Sequence, residues 1–168
     1  MINLNKIATI EPEITYDKKG DKEWRVNGLF HREDGPAIEY KNGRKEWYIN
    51  GKIHREDGPA IERKDGSKLW YVNGKLHKED GPALSYADGS KTWYINNKMH
   101  NENGPAAIRK NGDKEWWING KRHREDGPAV EYKNGAKEWY LNGHEVEYDP
   151  ETWDQLVNEK RIESIMEI

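Results

Sequence analysis

The chain has 168 residues, enough for one domain, yet only 33% are hydrophobic and 35% are charged; that is lean for a globular core and suits a thin, elongated body. Its 28 basic and 31 acidic residues are finely interspersed for a net charge of −3, so no basic field exists to hold duplex nucleic acid. The lack of cysteine excludes disulfides and thiolate metal sites. Residues 1–7 carry no basic-then-apolar leader pattern and no run reaches the length of a membrane span, so the sequence reads as an intracellular, cytoplasmic protein.

In chain order, residues 2–10 read as a lead-in strand, with Ile2, Leu4, Ala8 and Ile10 on one face by period two. Pro12-Glu13-Ile14-Thr15-Tyr16 resembles Pro36-Ala37-Ile38-Glu39-Tyr40. With the turn ending in Gly20, it has the form of a degenerate half-repeat at the end of an array. From Asp21 the chain keeps strict step. Trp24, Trp47, Trp70, Trp93, Trp116 and Trp139 stand 23 residues apart, and the series from Gly35 to Gly127 and from His31 to His123 share that spacing. A fixed period of this kind marks stacked units that bury their apolar faces only against their neighbours.

Each unit carries two hairpin signals: Asn27-Gly28, Asn50-Gly51, Asn73-Gly74, Asn119-Gly120 and Asn142-Gly143, then Asn42-Gly43, Asp65-Gly66, Asp88-Gly89, Asn111-Gly112 and Asn134-Gly135. These pairs supply the positive φ angles of a type I′ turn, so the sheet is antiparallel. Between turns lies a strand such as residues 44–50, then a longer arm, residues 52–64, which must bend or leave the sheet at Asp57-Gly58-Pro59 because proline cannot donate to a ladder. Two bent strands or three short ones per unit both fit. Alternation puts Trp47 and Ile49 on one face, read as the core, and Glu46 and Tyr48 on the other. After Tyr148, Asp149-Pro150-Glu151 is an N-terminal helix signal, and Trp153, Leu156, Val157 and Ile165 form a stripe, predicting a capping helix.

The form Asn50-Gly51-Lys52-x-His54-Arg55-Glu56-Asp57-Gly58-Pro59-Ala60 resembles the MORN repeat, and more closely the variant MORN-like arrays of bacterial and phage proteins. The resemblance covers about residues 13–148. It implies an elongated, twisted antiparallel sheet acting as a scaffold or binding surface, in some cases dimeric or touching lipid headgroups, with antitoxin-like bacterial relatives. Arg55-Glu56-Asp57-Gly58-Pro59 departs from the simpler H-G-x-G form, which argues against lipid. The fourth copy departs further: Asn97 replaces the turn glycine, Asn101 the arginine and Asn103 the aspartate, and Ala107-Ile108-Arg109 shifts the apolar residue.

The repeated histidines are spaced roughly 10 Å apart if each unit adds two strands, too far to share a metal, so each is expected to bond a neighbouring turn or Glu. The Arg-Glu-Asp cluster reads as an ion-pair and turn device. No unique Ser/His/Asp set, phosphate loop or metal-spaced group stands out from the copied background. The outward aromatics Tyr48, Tyr71, Tyr94, Trp117 and Tyr140 are the candidate partner-binding residues, since Tyr and Trp dominate protein interfaces; packing on the bent arm is the competing role for them. Thr92-Trp93-Tyr94-Ile95-Asn96 looks like part of a carbohydrate- or choline-binding hairpin, but the second Gly-Trp element is missing. Base stacking on single-stranded nucleic acid lacks the positive groove it needs.

The expectation is therefore an all-β protein: an open, solenoid-like antiparallel sheet of 23-residue β-hairpin repeats over residues 1–148, with residues 1–20 as lead-in and half-repeat and residues 149–168 as a capping helix. It is expected to be non-enzymatic, with no cofactor and no metal, and to bind and mask or inhibit an intracellular protein in an antitoxin-like or phage counter-defence manner. A self-assembling scaffold, a homodimer and, less favoured, a carbohydrate or lipid-headgroup module are the alternatives.

Overall fold

The computed structural model describes residues 11–166; the lead-in strand expected over residues 2–10 lies outside the described residues. Among those described, fourteen strands make one antiparallel sheet, and four separate hairpins run beside it. The half-repeat strand Glu13–Tyr16 pairs with Lys22–Val26 at the start of the sheet, and the array ends with Lys137–Leu141 against His144–Val146. One helix follows, Trp153–Met166. The all-β repeat architecture and its terminal helix are thus as the period and the turns predict.

Each interior unit is neither two bent strands nor three short ones but four strands of two residues. In the second copy these are Ile38–Glu39, Lys45–Glu46, Tyr48–Ile49 and Lys52–Ile53. The expected strand over residues 44–50 is split at Trp47, where the backbone changes partner. Trp47 N–H donates to the Ala60 carbonyl at 2.9 Å, while its own carbonyl accepts from His54 N–H at 3.0 Å. Residues before the tryptophan belong to the long sheet; those after it belong to a hairpin, which joins the next hairpin through Arg55 N–H to Tyr71 O and Gly74 N–H to Ile53 O. Both turn residues have the left-handed backbone of a type I′ turn, Asn50 at φ 50° and Gly51 at φ 73°.

The core lies on the side opposite to the one expected. Across the long sheet Ile38, Glu46, Ile61, Leu69, Leu84, Thr92, Ala107, Glu115 and Val130 lie opposite one another in turn, and all are buried. Ile61, Leu69 and Leu84 form the central cluster, with Ile53, Tyr71, Leu76 and Tyr94 of the hairpins packed on it. The core is therefore the Glu46/Tyr48 side. Trp47 and Ile49, read from the sequence as core, are half-buried on the other side. Their apolarity misleads because the core side carries polar residues that satisfy one another. Glu46, only 3% exposed, pairs with Arg44 and accepts from the Tyr40 and Tyr48 hydroxyls at 3.2 and 3.1 Å, as a buried carboxylate must. Ala107, not Ile108, takes the core position in the fourth copy, so the register is unshifted there.

Side chains staple copy to copy. Each series histidine accepts through Nδ1 the backbone N–H of the next copy's turn asparagine: Asn50 to His31, Asn73 to His54, Asn96 to His77, Asn119 to His100 and Asn142 to His123, at 3.0–3.3 Å. Nε2 then faces the glutamate two residues on, at 3.7 Å for His54 and Glu56. A second staple occurs in four units, where Asp21, Ser67, Ser90 and Asp113 accept from the backbone N–H groups of Lys41, Ala87, Lys110 and Lys133.

Asn97, which replaces a turn glycine, has φ 67° and does more than fill a turn. Its Oδ1 accepts Leu76 N–H at 2.7 Å, a bond that a glycine cannot make. Relief of backbone strain and loss of that bond oppose each other in Asn97→Gly, so its stability is expected to change by less than about 1 kcal/mol. Asn97→Ala keeps the strain and loses the bond, and is expected to cost about 1–2 kcal/mol; chemical denaturation of the two variants distinguishes them.

Candidate functional site

The tyrosine row is the first candidate. Tyr48, Tyr71, Tyr94, Trp117 and Tyr140 are all half-buried, and Tyr71 and Tyr94 lie against the central Ile/Leu cluster. Burial, then the Glu46 carboxylate, push the Tyr48 phenol up to about 12. Trp117 donates its indole N–H to Glu115 at 3.1 Å, and Tyr140 lies under the Arg122 guanidinium at 5.2 Å. The row lies on one side as alternation predicts, but it shares its area with the core.

The second candidate lies on the side that sequence reading assigned to the core. There the tryptophans floor a series of grooves walled by successive Arg-Glu-Asp-Gly-Pro loops. The first groove has Trp47 and Ile49 between residues 32–36 and residues 54–57, with a volume of about 670 Å³. The second has Trp70 and Val72 between residues 55–59 and 77–80, about 540 Å³; the third has Trp93 and Ile95, about 240 Å³. The walls are built by the arginine. Arg55 bonds Asp57 Oδ1 through Nε at 2.8 Å and the Pro59 carbonyl through a terminal nitrogen at 3.4 Å, and its carbon Cζ sits 4.2 Å from the Trp47 ring centroid. The guanidinium folds back onto the loop glycine: a Cβ on Gly58 would meet Arg55 Cζ at 2.8 Å and displace it. The hydrogen bond and charge of Arg55 hold the Asp57 carboxyl below the usual aspartate range. The loop glutamates reach outward: the Glu33, Glu56, Glu79 and Glu102 side chains are 75–85% exposed.

The fifth groove is filled by the chain itself. Asp149 Oδ1 accepts Glu151 N–H at 2.8 Å and starts the turn that leads into the helix, so the predicted start signal acts a few residues ahead of Trp153. Trp153, Val157 and Leu156 then pack on Leu141, Trp139 and Val146, and the Trp153 indole donates to the Glu125 carbonyl at 2.7 Å. Tyr148 stacks on Trp139 at 4.6 Å, where four of the other copies have a cation. Arg161 grips both oxygens of Glu125; the Glu125 side chain is 30% exposed while its equivalent Glu33 is 85% exposed. Leu141 is 1% exposed, whereas its counterparts Ile49, Val72, Ile95 and Ile118 stay half-buried. Ile165, expected in the inward stripe, is exposed instead.

Among the described residues, no three His, Asp or Glu side chains gather closely enough to hold a metal, and no helix is long and apolar enough to cross a membrane. No protein-family model matches the chain, and no curated protein does. What the geometry can do chemically is hold apolar and cationic groups: aromatic floors, acidic rims and regular spacing.

Two outcomes follow for the filled groove. Trp153→Ala uncovers Leu141 and is expected to lower stability by about 3–5 kcal/mol in denaturant unfolding. Burial, ahead of the opposing Glu125 carboxylate, holds the His123 imidazole below its ordinary value. A base depressed on folding contributes stability that is complete above its unfolded value, about 6.5, and lost as pH falls towards the folded one. Stability measured from pH 7 down to 5 is expected to fall, and His123→Gln to flatten that fall.

Proposed function

We propose that this chain is a non-enzymatic protein-binding module that holds an intracellular protein along its grooved face and masks or inhibits it, as an antitoxin-like or phage counter-defence protein would. The observation that carries this reading is the helix Trp153–Met166 in the fifth groove. There, one copy of the repeated surface accepts a protein segment through an aromatic side chain, two aliphatic ones and an arginine on the rim glutamate. The equivalent surfaces of the earlier copies have a tryptophan under its own loop cation, an aliphatic neighbour and an acidic rim, with a groove above them that no segment of the described chain fills. Two strands of the long sheet per copy, about 4.8 Å apart, set the grooves roughly 10 Å apart, close to the diameter of a helix with its side chains, about 10–12 Å. Helix-in-groove recognition by an apolar stripe is a common mode of partner binding.

The test is affinity capture of a partner by the tagged full chain from lysate of its host. Glu56→Lys with Glu79→Lys reverses two rim charges that face solvent and leaves the fold untouched; the double variant is expected to lose capture by about tenfold or more. Tyr71→Phe with Tyr94→Phe keeps core packing and removes only two hydroxyls. Lost capture in this pair, with the Glu56/Glu79 variant intact, would move the interface to the tyrosine row. Recovery of the chain alone, as a dimer or larger assembly, would replace the inhibitor reading with a self-assembling scaffold.

A further inference from the structure

Four of the repeat tryptophans carry a cation on the ring face, supplied by the loop that follows: Arg32 over Trp24 at 4.1 Å, Arg55 over Trp47 at 4.2 Å, Lys78 over Trp70 at 4.1 Å and Arg124 over Trp116 at 4.0 Å. Trp139 is covered by Tyr148. Trp93 differs from all of these. Its loop supplies Asn101, and among the described residues no cation lies over its ring.

The loop at Asn101 is nonetheless fully formed. Asn101 Nδ2 reaches the Pro105 carbonyl at 3.0 Å, the same carbonyl position that a terminal arginine nitrogen reaches in the sister loops. Its Oδ1 accepts Asn103 N–H at 3.1 Å. The amide thus closes the loop but is too short to extend over the indole. The space left is visible at the loop glycine. A Cβ on Gly35, Gly58 or Gly127 would meet a guanidinium at 2.8–3.0 Å, whereas at Gly104 the nearest atom is Asn101 Nδ2 at 3.8 Å. Beside the Trp93 ring lies a cavity of about 240 Å³, walled by Glu79 and Glu102. The ammonium of Lys78, which also lines it, is already engaged on Trp70.

We propose that the Trp93 groove is a seat for the side chain of a partner protein's arginine, the cation that this copy does not provide for itself. The sister copies define the ligand chemistry: three of the four intrinsic cations are guanidinium groups, which stack flat on an indole and fork onto carboxylates. Glu79 and Glu102 supply the rim charge that attracts it. The inference rests on the protein-binding reading and narrows it to one groove and one anchor residue.

Its test uses the isolated full chain, nitrogen-15 labelled, with the indole N–H signals assigned, titrated with the peptide acetyl-Gly-Arg-Gly-amide. The Trp93 signal is expected to shift saturably and several-fold more than those of Trp47 and Trp70, whose faces are occupied. The isosteric citrulline peptide, which lacks the charge, is expected to leave it in place. Asn101→Arg restores an internal guanidinium and is expected to abolish the Trp93 response with the fold intact. Equal shifts at Trp93, Trp47 and Trp70, or an undiminished response in Asn101→Arg, would overturn the proposal. A larger response to tetramethylammonium than to the arginine peptide would overturn the assignment to arginine. Because the titration needs no captured partner, failure of the capture experiment and failure of the seat are separate results.

Discussion

The fold depends on the backbone exchange at the tryptophans from Trp24 to Trp116. The tryptophan N–H donates to the alanine carbonyl of the following arm and the tryptophan carbonyl accepts from the histidine N–H beyond the turn, so a single residue is hydrogen-bonded into both the long sheet and the hairpin row. Glu46 and Tyr48, on either side of Trp47 in the second copy, keep the common side that alternation gives them and are hydrogen-bonded to each other there. The ladder partners of that corner are small: Ala37, Ala60, Ala83, Ala106 and Ala129 are fully buried. A larger side chain at these positions would have no space, since buried interiors are close-packed.

With corner and alanine fixed, the remaining chemistry varies down the column. The core position before each tryptophan is Glu46, Leu69, Thr92, Glu115 and Glu138 in turn. Leu69 meets Leu84 and Ile61 at the centre, where an aliphatic cluster forms. The glutamates bring their own counter-charges: Arg44 for Glu46, and Arg109 and Arg122 for Glu115. A buried carboxylate without such partners would cost several kcal/mol, of the order of 3–5, so the arginines belong to the core as much as the leucines do. Few apolar residues suffice because polar pairs fill the rest.

Period, antiparallel pairing, turn type and the terminal helix were legible in the sequence, because each rests on local rules: spacing, Asn-Gly stereochemistry and a helix start signal. The histidine role was legible for a similar reason, since a ring repeated every 23 residues finds the same neighbour each time, and that neighbour is the turn backbone. The core side was not legible. Alternation groups Glu46 with Tyr48 and Trp47 with Ile49, as the structure does, but hydropathy then assigns Trp and Ile inward; the buried and paired Glu46 defeats that step. The one available signal was a Glu two residues before an aromatic donor, Glu46 before Tyr48 and Glu115 before Trp117, a spacing that lets carboxylate and donor satisfy each other. The helix was foreseen as a cap, but its seat between Glu125 and Leu141 depends on tertiary geometry.

In an array each copy contacts only its neighbours, so a change in one copy can alter a groove without weakening the others. The fourth copy uses that freedom coherently. Replacing arginine alone would leave the loop aspartate without its counter-charge and the proline carbonyl without a donor. Here Asn101 and Asn103 change together, removing the cation and its anion at once, and the shorter amide retains the two bonds that close the loop. The loop shape is kept, and what disappears is the cover over Trp93. The acids on either side, Glu79 and Glu102, stay exposed. The net charge of the loop is unchanged, but the indole face loses its cation, so the copy that departs furthest from the repeat is also the one whose chemistry is left incomplete.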